Sequence, residues 1–135
     1  MRENILNKHL KNMTHENKKI KDAFIMGIDG LLIAVLNKKE DHQRIAAKMS
    51  GAIEASKRVE DVMPKAVSVI TKNKNITAIP LSETYVIVLI GTKSLNILNA
   101  VKHIEKNRLN IISMIENKEF SDVFSFSPVE VDGLD

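Results

Sequence analysis

The six residues Tyr85 to Ile90 read YVIVLI, with no polar residue among them. A strand that faces water on one side alternates apolar and polar side chains. A run apolar on both sides needs cover on both faces. In a chain of 135 residues this places the segment at the centre of a sheet, with helices packed above and below.

The neighbouring segments fit that requirement. Ile5, Leu6, His9, Leu10 and Met13 recur at helical spacing, which predicts a first amphipathic helix over 3–17. Two apolar runs, 21–27 and 31–37, flank Asp29-Gly30, a pair that turns the chain cheaply and marks a hairpin. A second helix is expected from Asp41 to Met63, capped by Asp41 and closed by Pro64, with Ile45, Met49, Ile53, Val59 and Met63 on the sheet. Strands follow at 66–71, 76–81 and 84–90, the first being short and edge-like. A third helix is expected over 92–117, its stripe of Ile97, Val101, Ile104, Ile111 and Ile115 widened by Leu98, Leu109 and Ile112. The order is α-β-β-α-β-β-β-α, an α/β chain with one sheet between helices. Profilin-like sensor domains share this order.

Gly51 stands in mid-helix, where it costs about 1 kcal/mol relative to alanine. Ala47, Gly51 and Ala55 are four apart, forming a small-residue stripe away from the middle of the sheet-facing side. Slim side chains let a second backbone come close, and the gain is dispersion and apolar burial. The segment Ala66, Val67, Ser68, Val69 and Ile70 follows directly, and an edge strand offers unpaired N–H and C=O groups. Pairing of that strand with its own copy makes a two-fold contact that also joins the two Gly51 helices. The expectation is a homodimer with a continuous sheet, its interface at Ala47, Gly51, Ala55 and residues 66–70.

These residues carry a family resemblance. The strand–turn–strand AFIMGIDGLLIAVL, the helix IAAKMSGAIEASKRV and the run ITAIPLSETYVIVLIGTKSLNILNAVKHI resemble the roadblock/dynein light chain domain over roughly residues 5–116. The resemblance implies a roadblock-like three-layer sandwich, with one five-stranded, mainly antiparallel sheet in the order 2-1-5-4-3. It also implies an obligate dimer through the third strand and second helix, and work without catalysis. Members of the family serve as light chains in motor complexes or as scaffolds and regulators of small Ras-like GTPases. The expected function is therefore a homodimeric, non-enzymatic scaffold that binds such a GTPase and modulates its nucleotide cycle. The alternatives are a light-chain-like tethering subunit of a larger complex and a profilin-like or PAS-like small-molecule sensor, which needs an enclosed pocket that no polar cluster is expected to line.

Sites of chemistry are scarce. With no cysteine, the chain has no disulfides, thiolate zinc sites or cysteine nucleophiles. The absence of a signal-like apolar leader fits a cytoplasmic location. His9, His15, His42 and His103 are dispersed, form no metal-ligand spacing, and leave Asp41-His42 as an exposed helix start. Gly91-Thr92-Lys93-Ser94 lacks the upstream glycine and the Gly-Lys step of a phosphate loop, so Thr92 or Ser94 is read as a helix cap. No cofactor, metal or catalytic residue is expected.

Charge is unevenly spread. Residues 118–135 hold Lys118 against Glu119, Asp122, Glu130, Asp132 and Asp135, a net of −4, so a total of +3 leaves +7 on the rest. Nucleic acid is disfavoured as a partner because stacking aromatics are few: there is no Trp, and Phe120, Phe124 and Phe126 lie in the acidic segment. The chain divides into a domain over 1–117 and an acidic tail over 118–135, whose three Phe are candidates for docking on a basic neighbour. Pro128 and the alternation Val123, Ser125, Ser127 fit an extended or disordered tail.

Overall fold

A computed structural model describes residues 5–37 and 41–134, with side chains described within 5–37 and 41–117. The elements run α1 (Ile5–Glu16), β1 (Ile20–Gly27), β2 (Leu32–Val35), α2 (Asp41–Glu60), β3 (Val67–Ile70), β4 (Asn75–Pro80), β5 (Tyr85–Gly91) and α3 (Ile97–Leu134). The five strands form one sheet in the order β2-β1-β5-β4-β3, and every adjacent pair is antiparallel.

The central place of β5 follows from its composition. Val86, Ile87, Val88 and Leu89 are fully buried, and alternate residues enter different cores. Ile87 and Leu89 join Ile25, Ile79, Leu6, Leu10, Ile104 and Ile111 beneath α1 and α3. Val86 and Val88 join Phe24, Met26, Ala78, Met49 and Ile53 beneath α2. The result is three layers, with α1 and α3 on one face and α2 on the other.

Gly30 makes the β1–β2 turn with φ +88°, the left-handed conformation that glycine adopts freely. A side chain there would lie 3.3 Å from the Ala46 carbonyl oxygen, Ala47 Cα and Ser50 Cβ, so the hairpin tip sits close against α2. Ser50 Oγ donates to the Ile28 carbonyl at 2.6 Å and fixes the same contact.

Several expectations need correction. The buried side of α2 is His42, Ala46, Met49 and Ile53, whereas Val59 is 82% exposed. Six residues separate Val59 from Ile53, which turns it well off the buried stripe at 3.6 residues per turn. The helix stops at Glu60 because Asp61 turns left-handed with φ 58°, three residues before Pro64. Asp tolerates that conformation better than most residues. Asp41, expected as a cap, is the first helical residue and lies 3.0 Å from Arg44.

On α3, Leu98 and Leu109 do not widen the buried stripe; they are 74% and 71% exposed. The helical backbone continues past Asn117 to Leu134, where an extended or disordered tail is expected from the sequence. No glycine or proline occurs between Thr92 and Ser127, so nothing in the chain breaks the helix at 117.

Candidate interaction surface

The stripe and the edge expected to meet a partner lie at the surface. Ala47, Gly51 and Ala55 are exposed on α2, on the side away from Met49 and Ile53. A side chain placed on Gly51 would meet no atom of the described residues within 4 Å. Packing against the described residues of the protomer therefore does not explain the glycine. Ala47 and Ser50 are partly accounted for by the hairpin tip at Gly30; Gly51 and Ala55 are not.

β3 is the terminal strand on the β4 side of the sheet. Its register with β4 is Val67↔Ala78, Ser68↔Thr77, Val69↔Ile76 and Ile70↔Asn75. Val67 packs beside the α2 core, and the Ser68 and Thr77 hydroxyls bond to each other. Val69 and Ile70 are 42% and 61% exposed. Ala66 lies just before the strand, packed against the α1/α3 core. Val59, expected on the sheet, and Val62, just beyond the last turn of α2, add exposed apolar area.

The tail Phe120, Phe124 and Phe126 fall outside the residues whose side chains are described.

Two polar features escaped the sequence reading. His42 is not exposed: it is 2% accessible, and its Nε2 lies 2.9 Å from Oδ2 of Asp22, itself buried on β1. The imidazole also packs on the Phe24 ring with centroids 5.1 Å apart. This pair ties the start of α2 to the sheet across 20 residues of sequence, a separation no local motif reveals.

The second feature is an open cleft of about 310 Å³ between α1, α3 and the sheet. Apolar Met13, Ile20 and Leu89 line it together with polar Glu16, Asn17, Asn99 and His103. The expectation concerns an enclosed pocket; this cleft is open, and it brings together polar side chains from separate elements. Nearby, His9 is held below the ordinary histidine range, first by burial and then by His103, with Glu16 opposing. Its Nε2 is buried without a hydrogen-bond partner.

The Gly91–Ser94 turn has a structural explanation. A side chain on Gly91 would fall 2.5 Å from the Lys19 carbonyl oxygen, which accepts a hydrogen bond from Thr92 N–H at 2.9 Å. Neither Thr92 nor Ser94 caps α3; their hydroxyls lie 3.1 Å apart, and Asn96 Oδ1 accepts from Asn99 N–H at 3.0 Å instead. Among the described residues, no group of three or more His, Asp or Glu is placed to hold a metal ion. No helix among them is long and apolar enough to cross a membrane.

Comparison with solved structures identifies the architecture. The gliding protein MglB of Thermus thermophilus superimposes with a TM-score of 0.66 at 14% identity, covering 84% of this chain and 89% of that one. A roadblock/LC7 domain from Streptomyces avermitilis gives 0.61 at 12% identity, covering 91% and 99%. Profilin IA of Acanthamoeba castellanii gives a lower 0.56 at 10% identity, covering 79% and 96%. The chain has the roadblock/LC7 fold. The expected strand order, 2-1-5-4-3, is the one observed. No protein-family model matches the sequence, and no curated protein matches it either.

Proposed function

We propose that the chain is a non-catalytic, homodimeric scaffold that binds a small Ras-like GTPase and modulates its nucleotide cycle in the cytoplasm. The observation that carries the dimer is the space over Gly51, open among the described residues, together with the terminal position of β3 in the sheet. Two copies joined through β3 bury Val69 and Ile70 and bring the slim sides of two α2 helices together. The GTPase is motivated by the resemblance to roadblock-type regulators and by the likeness of the fold to MglB and roadblock/LC7 structures. Such a platform acts by binding one state of the GTPase more tightly than another, and needs no catalytic side chain of its own.

Affinity purification from the native organism, with GDP and a non-hydrolysable GTP analogue compared side by side, tests this reading. Recovery of a GTPase that depends on the nucleotide supports it. A stoichiometric complex indifferent to nucleotide supports the tethering-subunit alternative.

The cleft lined by Glu16, Asn17, Asn99 and His103 favours a second reading, a small-molecule sensor. A thermal shift with a metabolite that His103→Ala abolishes would support it; no shift across a metabolite library would dismiss it.

A further inference from the structure

One end of the sheet is strongly basic, and the register shows why. Ile20 and Asn75 both lie opposite Gly91, and Ile70 lies opposite Asn75, so β1 begins, β5 ends, β4 begins and β3 ends together. This gathers Lys18, Lys19 and Lys21 from the start of β1, Lys72 and Lys74 from the β3–β4 turn, and Lys93 from the turn after β5. All six are exposed, and none has an ion pair among the described residues. α2 also starts here, held by His42 to Asp22, and α3 starts here after Asn96. Helix N-termini add partial positive charge. Of the described carboxylates at this end, Asp22 is bonded to His42 and Asp41 is paired with Arg44, leaving Glu16 at the end of α1.

α3 carries the opposite charge away from this end. Ala100 and His103 sit beside Ile20 and Leu89, while Arg108 Nη1 donates to the Leu81 carbonyl at the far end of β4. Ile115 is buried, and the helical backbone continues beyond it to Leu134. At 1.5 Å per residue, a helix over 118–134 is about 25 Å long. That segment is the net-negative part of the chain, with one lysine against five carboxylates over 118–135.

An antiparallel β3–β3 contact reverses the strand direction of the second protomer about an axis perpendicular to the sheet. The end where α3 leaves one protomer is then the lysine end of the other. We propose that the acidic segment 118–135 of each protomer docks on the lysine end of its partner, so that two reciprocal charge contacts clamp the dimer. This rests on the β3 dimer of the proposed function. The recognition is by charge: lysines are hydrated point charges on flexible stems, and such contacts are screened as the Debye length falls to about 3 Å near 1 M salt.

Zero-length carbodiimide cross-linking of the full chain tests this, using dimers assembled from mixed 15N-labelled and unlabelled copies. The expected products join Glu119, Asp122, Glu130 or Asp132 to one of the six lysines in mixed-isotope pairs, and decline several-fold at about 1 M salt. In Lys72→Glu/Lys74→Glu/Lys93→Glu they decline at low salt as well. Links found within single chains overturn the proposal. So does their absence from a sample that still sediments as a dimer, an outcome that leaves the β3 dimer standing. A monomer by sedimentation removes the dimer reading and the clamp with it. Capture of the lysine end by phosphatidylserine vesicles, without tail links, assigns the surface to membranes and overturns the clamp.

Discussion

The two edges of the sheet are both four-residue strands, Leu-Ile-Ala-Val in β2 and Val-Ser-Val-Ile in β3, yet they meet opposite fates. In β2, Ala34 is 7% exposed, Leu32 and Val35 pack towards α2, and Ile33 and neighbouring Leu36 pack towards α1 and α3. In β3, Val67 reaches the α2 core while Val69 and Ile70 are left in solvent. Composition does not separate them. Position does: among the described residues, β2 packs against both α1 and α2, whereas the main helix contact of β3 itself is with α2. Among the described residues, one edge is largely covered by the protomer itself, and the other leaves Val69 and Ile70 exposed.

The contrast breaks most sharply by placing a charge on each edge. Ala34→Asp puts a carboxylate into a closed edge with no partner, and an uncompensated buried charge costs about 3–5 kcal/mol. Urea unfolding should show a midpoint far below that of the parent chain. Ile70→Asp, on the open edge, should leave the far-UV spectrum and cooperative unfolding intact, because exposed substitutions usually shift stability by no more than about 0.5 kcal/mol. Its effect should appear in sedimentation as loss of the dimer.

Gly51→Leu sharpens the same comparison on α2. The space around Gly51 accepts the side chain, and helix propensity improves by up to about 1 kcal/mol. The variant monomer should thus be no less stable, while close approach of a second α2 is obstructed and the dimer constant weakens. A dimer of unchanged affinity would deny the stripe its role.

The smallest expected effect is a pH dependence away from either edge. His9 has a folded pKa below its unfolded value, so the unfolded chain binds the proton more readily. Its contribution is therefore fully present above the unfolded value of about 6.5 and declines as pH falls towards the folded one. His9→Gln should flatten the loss of stability on acidification below that point, read from thermal unfolding at a series of pH values.

Much of this molecule was legible from periodicity. YVIVLI located the central strand, Asp29-Gly30 located the hairpin, and the 97–115 stripe located the packed face of α3. The slim stripe of Ala47, Gly51 and Ala55 was visible for the same reason. What was hidden depends on distant pairing or on phase. His42 gives no local sign of burial because its partner Asp22 is on β1, and Val59 is apolar but stands off the buried stripe of α2. The lysine end was hidden altogether, since its six residues come from three separate segments that only the strand register aligns.

Sedimentation equilibrium of the full chain at micromolar concentration tests most directly whether the open edge is completed by a second copy. The mass of two chains is the predicted result. The mass of one chain, unchanged by Ile70→Asp or Gly51→Leu, would contradict the account.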